Sequence, residues 1–198
     1  MTRICIFCGS SMGYDNEYRE AARQVGEFFA ANNIELVYGG ADVGLMKVLA
    51  DTMLEKGSHV IGVMPGHLVD RGVVHHNLSQ LITVETMAER KQKMIDLSDG
   101  FIALPGGFGT LDELSEILTF NQLRISDKPL GILNIKHYFD HLLQFIDHAA
   151  DVGFVRKEHR DNLIVSDDIA ELITKMNNYS PVEIGKWIAD IKVESNHK

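Results

Sequence analysis

Apolar residues in this chain alternate between short continuous runs and longer stretches at helical spacing. The runs Arg3–Cys8, Ile34–Tyr38, Val60–Met64, Leu81–Val84, Phe101–Leu104, Pro129–Ile135 and Leu163–Val165 each have the length of one buried strand. Between them, Asn16–Ala31 reads as an amphipathic helix, and a second helix runs through Glu55 and is closed by Gly57. Thr86–Leu97 is a third helix. A further one starts at Thr110, with Leu111, Leu114, Ile117 and Leu118 on one stripe. After Ile135 a helix extends to about Ala150, and Asp167 or Asp168 caps another that ends at Met176. A short amphipathic tail begins near Pro181, and Gly66–Gln80 has no clear period. Strands alternating with helices predict a parallel sheet covered on both faces. The fold class is therefore α/β: one doubly wound, Rossmann-like domain over residues 1–198, with about seven mostly parallel strands and the tail at 181–198.

Three of these strands run into glycine-rich turns at the carboxyl edge, where open α/β sheets bind ligands. The turns are Gly9-Ser10-Ser11-Met12-Gly13, Gly39-Gly40-Ala41-Asp42-Val43-Gly44 and Pro105-Gly106-Gly107-Phe108-Gly109. The third is the most informative. Pro105 ends its strand, the glycines let another group approach the backbone, and a helix begins directly afterwards. Unpaired helix N–H groups and the positive end of the helix dipole then face an anion, for which a phosphate is suited. A Walker loop is excluded, because no Gly-Lys-Ser/Thr follows. The dinucleotide fingerprint fails as well, since Asp112 stands at its third glycine position. Thr110 and Glu113 admit a second reading as a capping box, which needs no ligand. The proline and three glycines upstream weigh against it, because a carboxylate beside a phosphate cradle is an unfavourable neighbour.

Charge and cysteine content narrow the classes. A net charge of −9 over 198 residues argues against a nucleic-acid partner. No apolar run approaches a membrane span, and no signal-peptide pattern precedes the first strand, so a cytoplasmic protein is expected. Cys5 and Cys8 have CxxC spacing but point to opposite faces of a strand and lack a second pair, which favours two core cysteines over zinc or redox chemistry. His75 and His76 lack a third ligand at suitable spacing. His137, His141 and His148 share a stripe with Asp140, Gln144 and Asp147, opposite Phe139, Leu142, Leu143, Phe145 and Ile146. That is a solvated face opposite a buried one rather than a metal site.

Pro-Gly-Gly-Phe-Gly-Thr-Leu-Asp-Glu at 105–113 matches the PGGxGTxxE signature of the LOG-like phosphoribohydrolases at every fixed position. Met87-Ala88-Glu89-Arg90-Lys91 resembles that family's upstream M-x-E/Q-R-K helix, and Tyr38–Met46 its YGG…GLM segment. The resemblance covers most of the chain. It implies hydrolysis of a purine nucleoside 5′-monophosphate, AMP or N6-prenylated AMP, to free base and ribose 5-phosphate. It also implies a homodimer or higher homo-oligomer, and it calls for no cofactor and no metal. Carried over by position, Arg90 and Glu113 are the catalytic pair, with Arg90 anchoring Glu113 bidentately and keeping it ionised. Gly106, Gly107, Phe108, Gly109 and Thr110 hold the 5′-phosphate, with Leu111 and Asp112 adjoining. Lys91 and Thr119 sit at the substrate, and Met87, Gly9, Ser10, Gly39 and Gly40 lie around base and sugar. Ala88, Ala41, Lys47 and Gly72 depart from the family pattern, which bears on sugar and base contacts. A carrier that binds a nucleotide without turnover is the alternative. The lysine-decarboxylase label attached to this family finds no lysine and partner set for a pyridoxal phosphate Schiff base.

Overall fold

A computed structural model describes residues 1–183; the amphipathic tail expected near Pro181 lies almost wholly outside the described residues. The seven strands are β1 (Arg3–Phe7), β2 (Glu35–Tyr38), β3 (Val60–Pro65), β4 (Gln80–Val84), β5 (Gly100–Ala103), β6 (Leu130–Leu133) and β7 (Ile164–Ser166). They form one sheet in the order β4-β3-β2-β1-β5-β6-β7, and every neighbouring pair is parallel. The helices are α1 (Asn16–Ala31), α2 (Gly44–Glu55), α3 (Gly66–Val69), α4 (Met87–Leu97), α5 (Phe108–Gln122), α6 (Asp140–Asp151), α7 (Lys157–Asp161) and α8 (Ile169–Asn177). Among the described residues no helix is long and apolar enough to cross a membrane.

Alternation along β1 divides the core in two. Ile4, Ile6 and Cys8 pack with Val25 and Phe29 of α1, Leu49 of α2 and Leu172 of α8. Cys5 and Phe7 face Met94 of α4, Leu114 and Ile117 of α5, and Phe139. Both cysteines are free and buried on opposite faces of the sheet. The chain moves outward from β1 to β4 and then returns to place β5 beside β1. Because α1 and α5 cover opposite faces, the loops leaving β1 and β5 part at this switch point and open a crevice at the carboxyl edge. Gly9 N–H donates to the Pro105 carbonyl at 3.0 Å and ties the two loops together at its base.

Several elements differ from the sequence reading. α5 begins at Phe108 rather than Thr110, with Gly107 as an extended N-cap that supplies no side-chain cap. The apolar stripe starts only at Leu111, and a helix's first turn need not carry it. Thr110 is therefore the third helical residue and not the cap, so the capping box at 110–113 is not formed. A box of that kind occurs instead at α4, where Thr86 Oγ1 accepts from Glu89 N–H at 3.1 Å. β6 stops at Leu133, because Ile135–His137 coil into a 3-10 turn. The short helices α3 and α7 had no periodicity long enough to register. His137 in the 3-10 turn and His141 and His148 on α6 are exposed as expected, but Phe145 of α6, placed on the buried side, is 67% exposed.

Candidate active site

The site is built where α4 and α5 meet the carboxyl edge. Arg90, one turn into α4, spends its three nitrogens on three elements. Nε donates to the Val63 carbonyl of β3 at 3.1 Å, and Nη1 reaches Glu113 Oε1 at 3.0 Å. Nη2 lies so close to Gly39 that a Cβ there would stand 2.2 Å from it. Glycine at 39 is thus what admits the guanidinium. The bidentate clamp expected between Arg90 and Glu113 is replaced by a single hydrogen bond, because β3 and the Gly39 turn occupy the other nitrogens.

Glu113 is 9% exposed, and its carboxyl sits above the ordinary glutamate range. Burial raises it, and the facing Arg90 charge opposes that rise without cancelling it. The pair borders a cavity of about 180 Å³ that also takes in Ser10, Gly39, Gly107, Phe108, Gly109 and Thr110. The N–H groups of Phe108, Gly109 and Thr110 have no acceptor within α5, and Gly107 caps none of them. A Cβ at Gly107 or Gly109 would meet nothing within 4 Å, so packing does not require glycine there, and the bare backbone leaves room for another group to approach. Gly106 is different. A Cβ there would lie 2.1 Å from Thr110 Oγ1 and 2.8 Å from Gly9 N. The arrangement can hold an anion at the start of α5 while presenting a carboxylate one turn farther along.

The other sequence-predicted residues lie outside this cavity. Gly9 and Gly106 line a neighbouring hollow of about 260 Å³ between α1 and the β5 loop. Gly40, at φ +78°, backs onto Gly62. Lys91 pairs with Asp112 at 3.1 Å and Glu116 at 3.2 Å on the outer side of α4 and α5. Leu111 is half-buried and Met87 exposed. Thr119 is exposed and bonded to the Ser115 carbonyl at 2.9 Å; at 1.5 Å per residue it is roughly 13 Å along the axis from Thr110.

Sequence reading missed Ile6, Cys8 and Met46 as lining residues of the Arg90–Glu113 cavity. It also missed Tyr18 and Tyr138 in the neighbouring hollow. Tyr138 follows a strand's carboxyl end, the one available signal; its hydroxyl donates to the Gly106 carbonyl at 2.6 Å. Just before it, Lys136 (φ 52°, ψ 33°) and His137 (φ 59°) are both left-handed, at roughly 1–2 kcal/mol each for residues with a Cβ.

His75 is 3% exposed, and its Nε2 lies 2.8 Å from Asp51 Oδ1. Asp42, Asp51 and His75 offer ligand atoms within 4.8 Å of one another, but Lys47 Nζ lies among them, 2.5 Å from Asp42 and 3.4 Å from Asp51. The Lys47 ammonium pairs with both carboxylates, and its hydrogen bond lowers the Asp42 carboxyl below its ordinary value. The cluster fixes the Gly39–Gly44 turn, since His75 N–H donates to the Gly40 carbonyl at 2.9 Å and Asp42 N–H to the Val73 carbonyl at 2.8 Å.

Residues 46–176 match a family model described as "Possible lysine decarboxylase". Among the described residues, no lysine lines the Arg90–Glu113 cavity. Cytokinin riboside 5′-monophosphate phosphoribohydrolase LOG5 of Arabidopsis thaliana is 40% identical over 197 residues, covering 97% of this chain and 86% of that protein. LOG4 of the same plant, under the same description, is 44% identical over 179 residues, covering 90% and 83%. Among solved structures, the molybdenum cofactor carrier protein of Chlamydomonas reinhardtii superposes with a TM-score of 0.67 at 20% identity, covering 89% of this chain and 96% of that one. This last likeness concerns the fold alone.

Proposed function

The chain belongs to the LOG family of phosphoribohydrolases, and from that membership we propose that its site cleaves the N-glycosidic bond of a purine nucleoside 5′-monophosphate, AMP or an N6-prenylated AMP. The products are the free base and ribose 5-phosphate. One observation carries the reading: a buried carboxylate, Glu113, held by Arg90 at 3.0 Å, one turn from uncapped helix amides.

The chemistry follows from that juxtaposition. Departure of the base leaves positive charge on the ribose carbon, as in glycoside hydrolysis. The Glu113 carboxylate opposes that charge and can orient or deprotonate the attacking water. Its raised pKa makes it a better base than an exposed glutamate, while Arg90 favours the ionised form needed at the start. Phosphate on the α5 amides fixes the ribose, so binding energy remote from the bond serves the reacting centre.

Lys91, Asp112 and Thr119 lie away from the cavity of their own chain, and Phe108 at its rim is 92% exposed. We assign this α4–α5 surface to contact with a second copy, in a homodimer or higher homo-oligomer. The test is incubation with AMP and isopentenyl-AMP, followed by detection of free base and ribose 5-phosphate. Binding without release of base would instead support the carrier alternative.

A further inference from the structure

The Gly106–Gly107 peptide is held from one side by Tyr138, whose hydroxyl donates to the Gly106 carbonyl at 2.6 Å. Among the described residues every peptide is trans, and in a trans peptide the carbonyl and the following N–H point in opposite directions. Tyr138 lines the hollow beside the catalytic cavity, whereas Gly107 borders both. Drawing the Gly106 oxygen toward Tyr138 therefore turns the Gly107 N–H away from Tyr138. We propose that Tyr138 is a positioning residue for phosphate binding, orienting the Gly107 N–H as an additional donor in the cradle.

The segment carrying Tyr138 is built to hold it there. Lys136 and His137 keep left-handed backbone conformations that residues with a Cβ rarely adopt, and such strain persists only where the surroundings over-determine it. Lys136 Nζ pairs with Asp15 at 3.0 Å and Glu17 at 2.6 Å, at the start of α1. Asn134 Oδ1 accepts the Phe139 N–H at 2.8 Å. The Tyr138 ring meets Tyr18 edge-on at 5.9 Å and Phe139 at 5.0 Å. The ring stays 43% exposed and is held on one side by these two edge contacts, with the hydroxyl tied to the peptide.

The inference rests on the phosphate-cradle reading of α5, and Tyr138→Phe tests it because the substitution keeps the ring contacts. The expected result is a KM for AMP raised about tenfold, inorganic phosphate bound more weakly by a similar factor, and kcat within twofold. Adenosine affinity and melting temperature stay as in the parent. Lys136→Ala, which loosens the segment but leaves the hydroxyl, shifts the AMP KM in the same direction by less. Unchanged phosphate and AMP affinities in Tyr138→Phe overturn the proposal. So does an equal fall for AMP and adenosine accompanied by a lower melting temperature, which marks a merely structural role. Failure of the parent protein to bind inorganic phosphate or AMP overturns the cradle reading itself.

Discussion

Replacing Arg90 by methionine probes the site through the charge state of Glu113. Methionine keeps the apolar length of the stem and removes the guanidinium. Glu113, 9% exposed, then loses the group that opposes the effect of its burial. An uncompensated buried charge costs roughly 3–5 kcal/mol. Protonation offers a route of comparable cost at pH 7 and of lower cost in acid. A carboxyl with an unfolded pKa of about 4.3 is brought to its neutral form for ~3.7 kcal/mol at pH 7, and for only ~1 kcal/mol at pH 5. With the folded pKa raised above the unfolded one, this contribution to stability is fully present below the unfolded pKa and is lost as pH rises toward the folded value. Arg90→Met is therefore much less stable than the parent at pH 7, and up to ~2.7 kcal/mol of that deficit disappears by pH 5. A pH-independent loss of ~1 kcal/mol remains for the hydrogen bond to Val63. Urea unfolding at pH 5, 6 and 7 measures this, alongside the double variant Arg90→Met/Glu113→Gln, which has no carboxyl to titrate and lacks this pH-dependent deficit. A deficit in Arg90→Met that stays constant from pH 5 to 7, or a double variant that tracks the single one, would refute the reasoning.

Glu113→Gln keeps an acceptor for Arg90 but removes the negative charge, so release of base from AMP is expected to slow by at least ~10²-fold; an unchanged rate excludes Glu113 as the catalytic group. Because burial holds Glu113 above its ordinary value and the carboxylate is the working form, activity is lost as pH falls through that raised pKa. The acidic limb of kcat/KM should accordingly lie above the ~4.3 of a free glutamate, and a limb at or below that value contradicts the assignment. Burial pushes the Cys5 thiol upward, so in a Cys8→Ser variant, which removes the thiol lining the cavity, Ellman's reagent should leave Cys5 unlabelled in the folded protein and label it after denaturation; rapid labelling of the folded chain would show that the β1 core opens.

All seven strands were legible in the sequence as short apolar runs, which burial explains for the inner strands but not for the largely exposed edge strand β4. Each run landed on its strand within a residue or two at either end. The opposed faces of Cys5 and Cys8 followed from the two-residue period alone. The Gly106–Glu113 motif was equally plain, since glycines before a helix have few other uses. Local pattern was a poorer guide where an element's edge is set by its surroundings. α5 begins at Phe108, three residues ahead of the apolar stripe and two ahead of the expected start, and that shift took Thr110 out of a capping role. Phe145 looked buried by spacing, but α6 leaves it in the open.

The chain by itself therefore determined the alternation of strands and helices and the glycine-rich turn before α5, because each depends on residues close together in sequence, while its resemblance to the LOG family singled out Arg90 and Glu113. Only the tertiary structure decided how these groups are used. Gly39 had to come from β2 to admit the guanidinium, Val63 from β3 to take one of its nitrogens, and Tyr138 from beyond β6 to hold the Gly106 carbonyl. Contacts between residues tens of positions apart leave no period in a sequence. They are fixed when the sheet brings four strand ends to one edge, and burial at that edge raises the pKa of Glu113.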